Sequence, residues 1–463
     1  MKKYLLAAFA ITFTLTYTNI HAQMLPISII TVAGEGAEGY HGDRGSAVNC
    51  QMHWPESVAF SDSGNLYIAD AMNNVVRMVN GEGVITTIAG NGFEAGTGTG
   101  GFGGDGGPAT DAELSYPSGV AVDKFGNVYI ADQHNDRIRG VQASTGNIFT
   151  IVGNGTIGFG GDGGPSTAAS LWSPSRIALD TFGNLFIADS GNNRIRVVLA
   201  SSGDIFTLAG NGTRGSSGDA GLATAAELND PVDIAVDVFD NVFIADYSNN
   251  KIRVVVPGAA VTGGSIYTYA GTGIAGFSGD SAAATNAYLY EPSGIVVDTL
   301  DNIYFSDLGN ERIRMIDTLG NITTIAGDGT GGYNGDGELA VQADLWWPEG
   351  LALDPRGQLY IADKANNRIR ELSSVLKVNN VTSPQAAIKL YPNPNTGAFT
   401  LSITSPYNED ANVTITNLTG ETMAKLTAVT NKATSIDIEA PPGIYFLSAA
   451  TAHGVLNEKV VVR

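Results

Sequence analysis

The chain has 463 residues, with 25 Lys and Arg against 46 Asp and Glu, so its net charge at pH 7 is −21. Phosphate backbones are bound through clustered cations, and this acidic chain, whose arginines recur at fixed repeat positions, excludes nucleic acid as a partner. The single cysteine, Cys50, excludes an internal disulfide, so stability must come from packing.

Residues 1–22 have the features of a secretory signal peptide. A basic start at Lys2 and Lys3 precedes an apolar stretch, and a small residue stands at Ala22. The alternative, a transmembrane anchor, is disfavoured because the apolar stretch is short and interrupted by threonines. Cys50 lies too far downstream to carry a lipid anchor at the cleavage site. We therefore expect an exported chain with no transmembrane segment after cleavage.

Residues 23–375 contain one sequence unit six times. The unit reads P-x-x-(V/I)-A-(V/L)-D-x-x-G-N-(L/V)-(Y/F)-I-A-D-x-x-N-N-R-I-R and is clearest at 174–196. A fixed period of this size indicates a stacked or radial repeat architecture. The aspartate that ends the second apolar run recurs every 56 to 62 residues, at Asp70, Asp132, Asp189, Asp246, Asp307 and Asp363.

Each unit contains four short apolar runs separated by turns. In the second unit the runs begin at Gly119, Val128, Arg137 and Ile148, and the segment D-K-F-G-N joins the first two as a hairpin. The runs do not alternate with polar residues, as expected of strands buried on both faces. Four such strands form one propeller blade, so the sequence predicts an all-β, six-bladed β-propeller.

The two ends of the repeat region predict how the ring closes. A lone run at 29–33 matches the fourth strand of the other units, and the sixth unit lacks a fourth strand after Arg370. Pairing these segments completes the last blade and removes two exposed sheet edges. This favours a closed ring over an open solenoid, which needs capping repeats.

The six units resemble the NHL-repeat six-bladed propellers, in the secreted bacterial form that has a G-D-G-G loop in each blade. The resemblance covers about residues 29–372 and implies an architecture rather than an activity. The family includes protein and RNA binders, a peptide-amidating lyase with three zinc-bound histidines in the channel, and lactonase-like relatives. The last group holds calcium or zinc through Glu, Asn and Asp.

A second domain, predicted at 386–463, follows a polar linker at 376–385. It opens with I-K-L-Y-P-N-P-N-T-G-A-F and ends with K-V-V-V-R, and its short runs between turns predict a small β-sandwich. The segment resembles a type IX secretion, type A sorting domain; the alternative is an immunoglobulin-like module. The resemblance implies the type IX secretion machinery as partner, with later cleavage and release or surface attachment. The motif residues are Tyr391, Pro392, Asn393, Pro394, Gly397, Gly443, Tyr445 and Lys459.

Residues present in every unit are expected to serve the blade. The I-A-D aspartates and the N-N-R that follows them are interpreted as groups that tie the connecting loop. Each Gly-Asp loop, such as the one at Asp162, carries one carboxylate, whereas a calcium loop supplies several oxygen ligands at short spacing. Turn formation is favoured for these loops, and calcium binding is the alternative.

Positions at which the units differ surround the proline that begins each innermost strand. In a propeller these strand starts meet at one mouth of the central channel, where aromatic faces and polar groups form a ligand pocket. The alternative is that the aromatic residues pack under the Gly-rich loops as additional core. The candidate ligand-binding residues are Trp54, Glu56, Tyr116, Trp172, Arg176, Asp230, Asp233, Glu291, Trp347 and Glu349.

Metal sites are alternatives at the same mouth. His41, His53 and His134 are candidate zinc ligands, although none lies in a typical ligand spacing. A calcium site would use Glu56, Asp230, Asp233 or Glu349, for which the sequence gives no pattern.

We predict a secreted or cell-surface propeller that binds a glycan, peptide or protein at the channel mouth without turnover. A metal-dependent lyase or hydrolase at the same mouth is one alternative. A structural or adhesive surface protein is the other.

Overall fold

The computed structural model describes residues 27–258, 263–374, 387–393, 395–405, 407–417, 422–438, 440–441, 443–451 and 454–462. The chain divides into two compact units, with the boundary between residues 375 and 376. Regular structure in the described ranges consists of β-strands and three-residue 3-10 helices, which confirms the all-β class. The predicted signal peptide at 1–22 and the predicted linker at 376–385 lie outside the described residues.

The first unit contains six antiparallel sheets, and each sheet is one blade. Strands β2–β5, β6–β9 and β11–β14 form blades one to three, with the short β10 added to blade three. The strands up to this point are β1 (Ile27–Ala33), β2 (Pro55–Phe60), β3 (Leu66–Asp70), β4 (Val75–Val79), β5 (Ile85–Ala89), β6 (Pro117–Val122), β7 (Val128–Asp132), β8 (Arg137–Val141), β9 (Ile148–Val152), β10 (Gly164–Pro165), β11 (Pro174–Leu179), β12 (Leu185–Asp189), β13 (Arg194–Val198) and β14 (Asp204–Ala209).

Blades four and five consist of β15–β18 and β20–β23, with the short β19 added to blade five, and blade six consists of β24, β25, β26 and β1. These strands are β15 (Pro231–Val236), β16 (Val242–Asp246), β17 (Lys251–Val256), β18 (Ser265–Ala270), β19 (Ala282–Ala283), β20 (Pro292–Val297), β21 (Ile303–Asp307), β22 (Arg312–Ile316), β23 (Asn321–Ala326), β24 (Pro348–Leu353), β25 (Leu359–Asp363) and β26 (Arg368–Ser374).

Strand β1 closes the ring, as the sequence predicts. It pairs antiparallel with β26, placing Ile29 opposite Leu372 and Thr31 opposite Arg370. The first strand of each blade contacts the first strands of both neighbouring blades, so β2, β6, β11, β15, β20 and β24 surround the channel. Closure pairs the edge of β26 that would otherwise have no partner strand.

The hydrophobic core of the propeller lies between blades. Ile195 and Val197 of blade three pack with Ile234 and Ile244 of blade four, and an equivalent cluster joins every neighbouring pair of blades, including six and one. Because each sheet is covered on both faces by its neighbours, the strands need apolar side chains on both sides. This accounts for the continuous V-A-V and Y-I-A runs.

Short 3-10 helices follow each second strand and precede each inner strand. Those after the second strand end at a residue in the left-handed conformation, which is Asn in four blades, a residue type that tolerates this conformation. In chain order the 3-10 helices of the described residues are Ala47–Asn49, Ala71–Asn73, Ala109–Asp111, Gln133–Asn135, Ser166–Ala168, Ser190–Asn192, Ala223–Ala225, Tyr247–Asn249, Ala284–Asn286, Leu308–Asn310, Ala340–Gln342 and Lys364–Asn366.

The repeated polar residues form one buried network in each blade, which we call the repeat network. In blade three, Asp189 accepts the backbone N–H of Trp172 at 2.9 Å and an Arg196 N–H at 3.2 Å. The same arginine reaches Asp162 of the Gly-Asp loop at 2.6 Å. All six third-strand arginines are fully buried between two such aspartates, at Arg77, Arg139, Arg196, Arg253, Arg314 and Arg370.

These contacts confirm a structural role for the I-A-D aspartates and extend it to the Gly-Asp loops. The loop carboxylate pairs with a buried guanidinium, so its function is more specific than turn formation. The loop glycine is needed because the backbone lies close to the neighbouring segment: a Cβ at Gly161, whose φ is +89°, would lie 2.6 Å from the Ala169 Cα. The loop aspartates are therefore anchors of the third strand.

The second unit contains two sheets that share one core. One sheet has the order β27-β28-β31 and the other β30-β29-β32-β33, and Leu401, Val413 and Leu447 are among the buried residues between them. This arrangement agrees with the predicted small sandwich. The strands are β27 (Ala387–Tyr391), β28 (Ala398–Thr404), β29 (Asp410–Thr416), β30 (Thr422–Val429), β31 (Ala433–Asp437), β32 (Gly443–Thr451) and β33 (Gly454–Val462).

The predicted sorting-motif residues lie at strand ends of this unit. Tyr391 ends β27 and is exposed, and Gly397, whose φ is +103°, precedes β28. Gly443 begins β32, Lys459 lies in β33, and Tyr445 is buried and donates its hydroxyl hydrogen bond to the Pro441 carbonyl at 2.7 Å. Asn393 follows β27, and Pro394 lies outside the described residues.

Candidate ligand-binding site at the channel mouth

The six inner strands begin at one end of the channel, each after a residue in the left-handed conformation. These residues have φ between 51° and 54° and are Trp54, Tyr116, Ser173, Asp230, Glu291 and Trp347. None is glycine, so each carries a backbone strain of about 1 kcal/mol. The strain fixes the direction in which these variable side chains leave the backbone.

A side chain of the preceding blade holds each of these strained residues. The Asn74 side-chain oxygen accepts the Tyr116 N–H at 2.9 Å, and the Asn367 oxygen accepts the Trp54 N–H at 3.0 Å across the closure of the ring. The remaining acceptors are Asp136, Asn193, Asn250 and Glu311. The mouth is therefore built from inter-blade contacts, and its geometry depends on the closed ring.

A cavity of about 240 Å³ opens at this end of the channel, and we call it the mouth cavity. Its walls carry hydroxyl, amide, carboxylate and guanidinium groups. A second cavity of about 320 Å³ occupies the other half of the channel and is lined by the later residues of the inner strands. The residues that line the mouth cavity are Glu56, Tyr116, Ser118, Gln133, Ser175, Arg176, Asp230, Val232, Tyr247, Ser293 and Glu349.

Four charged side chains form the floor of the mouth cavity, and we call them the central ion-pair cluster: Glu56, Arg176, Glu349 and Lys364. Arg176 Nη2 lies 2.9 Å from Glu349 Oε2 and 3.7 Å from Glu56 Oε2, and it donates to the Glu56 carbonyl at 2.6 Å. Lys364 Nζ lies 2.6 Å from Glu56 Oε1 and 3.4 Å from Glu349 Oε1. Each cation thus contacts both carboxylates.

The electrostatics of the central ion-pair cluster favour the charged forms of Glu56, Lys364 and Arg176. Burial alone would raise the pKa of Glu56, but the charges of Lys364 and Arg176 outweigh it and lower that pKa. Burial opposes the charge on Lys364, but Glu56 and Glu349 raise its pKa above the ordinary value. The same balance, with Glu349 contributing most, raises the pKa of Arg176.

Tyr116 and Asp233 extend the cluster in opposite directions. The Tyr116 hydroxyl donates to Glu56 at 2.5 Å, and burial followed by the charge of Glu56 raises the pKa of this tyrosine. Asp233 accepts the N–H groups of Ile234 and Ile295 at 2.8 and 2.9 Å and lines the second cavity rather than the mouth cavity. Burial raises the pKa of Asp233 to about 6.

Three tryptophans that lie one or two residues before the inner strands β2, β11 and β24 are only partly buried. Trp172 is 45% exposed and Trp347 is 42% exposed, so neither is core. The Trp54 and Trp347 rings meet edge to face at 6.3 Å, and Lys364 Nζ lies 5.3 Å from the Trp54 ring centre. Trp172 lies over Gly191, where a Cβ would come within 2.5 Å of the ring. These three tryptophans form the aromatic rim.

The structure brings most of the predicted ligand-binding residues together. Glu56, Tyr116, Arg176, Asp230 and Glu349 line the mouth cavity. Trp54, Trp172 and Trp347 form the rim, and Glu291 occupies the same repeat position as Trp54 and Trp347. Asp233 is the exception, because its backbone contacts hold it on the far side of Arg176.

Three further candidate residues, which the sequence did not single out, share one repeat position: Gln133, Tyr247 and Lys364. Each directly follows the I-A-D aspartate of its blade and lies at the mouth cavity or its floor. Burial and then the charge of Glu291 raise the pKa of Tyr247. The signal in the sequence was the variability of this position, which reads Ala71, Gln133, Ser190, Tyr247, Leu308 and Lys364 across the six units.

The candidate zinc ligands do not converge. His53 lies 3.7 Å from Glu38, whereas His134 hydrogen-bonds through Nδ1 to the Gly98 carbonyl at 3.0 Å and stacks on Tyr116. His41 lies in a loop, where its backbone bridges to Gln51. Among the described residues, no three side chains of His, Cys, Asp or Glu are grouped as a metal site. In the proposed calcium set, Lys364 and Arg176 stand where a cation would bridge Glu56 and Glu349.

The fold and the mouth define a closed β-propeller with a polar, aromatic-rimmed cavity, followed by a β-sandwich unit. Residues 345–372 match the NHL repeat, residues 90–158 match the Teneurin NHL domain, and residues 389–463 match the secretion system C-terminal sorting domain. The chain therefore contains an NHL repeat and a C-terminal secretion sorting domain, and its first unit has the propeller fold. The sorting domain indicates secretion or cell-surface attachment. Among the described residues, no helix has the length and apolar character needed to cross a membrane.

Relatives of known name share the propeller over part of their length. The chain is 28% identical over 270 residues to the chloroplastic protein SUPPRESSOR OF QUENCHING 1 of Arabidopsis thaliana, covering 56% of this chain and 25% of that protein. It is 25% identical over 369 residues to NHL repeat-containing protein 2 of Gallus gallus, covering 70% of this chain and 47% of that protein. The chain thus spans less than half the length of these relatives.

A solved structure shows the same fold. An auxiliary nutrient binding protein from Bacteroides ovatus superposes with a TM-score of 0.55 at 16% identity, covering 75% of this chain and 77% of that chain. At this identity the likeness concerns the fold alone.

Proposed function

We propose that this protein is a non-enzymatic binding propeller, exported by the type IX secretion machinery, that recognises a glycan at the channel mouth. Its signal peptide and sorting domain are removed during export, and the propeller is the part that acts outside the cell. The observation that carries the proposal is the mouth cavity, whose polar walls are bordered by half-exposed tryptophans.

The chemistry of a sugar matches both parts of the mouth. A sugar ring has apolar C–H faces that stack on aromatic rings, and its hydroxyl groups need donors and acceptors at close range. Trp172 and Trp347 offer exposed aromatic surface, and Gln133, Tyr247 and Asp230 offer polar groups on the wall. A peptide would find the same aromatic surface, but the polar walls offer little apolar surface for its side chains.

Binding without turnover is favoured by the charges of the floor. General acid–base catalysis works best with a pKa near the working pH. The pKa of Glu56 is lowered, and the pKa values of Tyr116, Lys364 and Arg176 are raised, so each group is held further from neutrality than its ordinary value. The pKa of Asp233 is closer to neutral pH, but its carboxylate already accepts hydrogen bonds from two backbone N–H groups.

The experiment is a glycan and peptide array probed with the purified full chain, followed by titration calorimetry on the ligands found. We expect Trp172→Ala and Trp347→Ala each to weaken glycan binding about tenfold, which corresponds to about 1.4 kcal/mol. Phe182→Ala is the matched control, because Phe182 belongs to the same blade as Trp172 and is 72% exposed in the hairpin turn after the inner strand.

Four results would contradict the proposal. Glycan binding that is unchanged by both tryptophan substitutions would show that the aromatic rim is not part of the binding site. Selective capture of peptides would change the ligand class. Turnover of a bound ligand by the wild-type protein would show that the protein is an enzyme. Loss of cell cohesion on gene deletion, in a protein without glycan affinity, would indicate an adhesive role.

A further inference from the structure

The mouth cavity is closed at its floor. Arg176 belongs to blade three, and its Nη2 contacts Glu349 of blade six and the Glu56 carbonyl of blade one. In a ring of six, blades three and six are opposite, so the guanidinium crosses the channel. Arg176 lines both cavities and separates them. A ligand that enters at the mouth therefore meets a buried side chain instead of an open channel.

The floor is also mechanically fixed. Arg176 is 5% exposed and is held by two acceptors on blades one and six, and Lys364 bridges the same two carboxylates from blade six. Moving Arg176 aside would leave Glu56 and Glu349 with less compensation in a buried place, which is costly. The channel therefore stays closed when a ligand binds.

The size of the mouth cavity limits what fits. Pockets for drug-sized ligands measure about 300–1,000 Å³, and the mouth cavity measures about 240 Å³. This space suits one sugar unit. A polymer cannot pass through the closed floor, and an internal unit of a straight chain has neighbours on both sides that the walls exclude.

From these two features, and on the basis of the proposed function, we infer that the mouth cavity accepts the terminal unit of a glycan chain. The protein therefore recognises chain ends. We expect the aromatic rim to contact the second unit, because the three tryptophans lie one or two residues before the prolines that begin their inner strands and none of them lines the cavity itself.

The test is a titration of the full chain with linear neutral gluco-, manno-, xylo- and chito-oligosaccharides, each as a short and a long preparation. End recognition predicts that the number of protein molecules bound per glycan chain stays constant as the chain lengthens. Cyclic β-glucan and cyclodextrin, which have no ends, are the controls, and we expect them not to bind. Binding whose stoichiometry rises with chain length, or binding of a cyclic glucan as tight as that of its linear counterpart, overturns this inference alone. Failure of every linear glycan to bind overturns the proposed function with it.

A second readout places the terminal unit in the cavity. Val232 is the one apolar residue among the six that follow the inner-strand prolines, and it lines the mouth cavity. Val232→Phe adds volume at the wall, and we expect at least about tenfold weaker binding of the linear glycan. Val238→Phe is the matched control, since Val238 lies in the next turn of the same blade and is 66% exposed. Unchanged affinity of a folded Val232→Phe protein overturns the assignment; if that variant does not fold, the stoichiometry of the wild-type chain decides.

Discussion

The repeat network and the central ion-pair cluster both bury arginine beside carboxylates, but they differ in how they are built. In the repeat network every contact of Arg196 is made within blade three, and five other blades have an equivalent arginine. In the central ion-pair cluster Arg176 has no counterpart in other blades and contacts blades one and six. The first arrangement shapes a blade, and the second closes the channel.

The difference shows what symmetry does to buried charge. A buried ion pair is a weak source of net stability, although breaking it is costly because one charge is left unpaired. Six identical pairs fix the Gly-Asp loops to the third strands and so define each blade. The central ion-pair cluster occurs once and cannot define every blade. It instead sets the depth and the polarity of the mouth cavity.

The largest expected effect comes from breaking the repeat network. Arg196→Met leaves Asp189 and Asp162 without their guanidinium, and we expect a loss of about 3–5 kcal/mol in the free energy of unfolding. Arg194→Met is the control on the same strand: Arg194 is only partly buried and donates to the carbonyls of Asn192 and Asn211, so its loss should cost about 1 kcal/mol. Urea unfolding measures both, and equal costs would refute the distinction.

A smaller effect is expected from the central ion-pair cluster. Arg176→Met leaves Lys364 as the only cation between Glu56 and Glu349. Because Lys364 remains and the mouth cavity admits water, we expect a loss of about 2 kcal/mol. The substitution also joins the two cavities, so binding of a terminal sugar should weaken while the blade structure, followed by circular dichroism, is retained. A loss in the free energy of unfolding as large as that of Arg196→Met would show that the central ion-pair cluster is as important for stability as the repeat network.

The repeat network should also make stability depend on pH, and Asp233 beside the central ion-pair cluster, with a pKa of about 6, contributes in the same range. Burial raises the pKa of Asp70, Asp132 and Asp189 to about 6, from an ordinary value of 3.8. Because these folded-state values lie above the unfolded ones, the stability contributed is present at low pH and is lost as pH rises through about 6. We expect the free energy of unfolding to fall by at least about 1 kcal/mol between pH 5 and pH 7.

Two controls separate this effect from others. The pKa of Glu56 is lowered, so its contribution is lost only in acid, outside this range. High salt screens repulsion between surface charges, of which the net charge of −21 is a source, but acts little on buried groups. A pH dependence that disappears in high salt would mean that surface repulsion, rather than the buried aspartates, causes it.

Most of the fold followed from the sequence because the repeat supplied six independent copies of each signal. The turn D-K-F-G-N and the apolar runs predicted the inner hairpins, and the unmatched strand at one end identified the partner of β26. The role of the Gly-Asp loops could not be predicted from the sequence. Asp162 and Arg196 are 34 residues apart, and neither motif indicates that the two side chains form a contact.

The site was predictable as a location but not as a set of contacts. Variability beside the prolines pointed to residues of which five line the mouth cavity, and their role in binding stays a prediction. The pairing of Arg176 with Glu349 spans 173 residues and opposite blades, so it depends on ring closure and side-chain length. Lys364 was missed because it follows the repeated aspartate, a region interpreted as structural.

The smallest predicted effect concerns one of the two blades in which the left-handed residue after the 3-10 helix is not Asn. Glu311 occupies the left-handed position held by Asn in four other blades, and it accepts the Trp347 N–H at 2.6 Å. Burial, followed in part by the charge of Asp363, raises the pKa of Glu311 to about 7, although the N–H bond opposes this. Its folded-state pKa therefore exceeds the unfolded value, and its contribution to stability is lost as pH rises through about 7.

Glu311→Asn should therefore stabilise the protein by about 0.5–1 kcal/mol above pH 7, because Asn tolerates the left-handed conformation better and carries no charge. The gain should shrink at pH 5, where Glu311 is protonated in the folded chain. Thermal unfolding at both pH values measures this, with Asn250→Glu as the reverse change at the equivalent position of blade four. Glu311 holds the Trp347 backbone through this contact. A gain in stability with unchanged glycan affinity would therefore mean that Glu311 has only the structural role that Asn has in other blades, and performs it less well. Altered glycan affinity would mean that Glu311 also shapes the binding site. One side chain would then serve both the contact between blades and the mouth cavity.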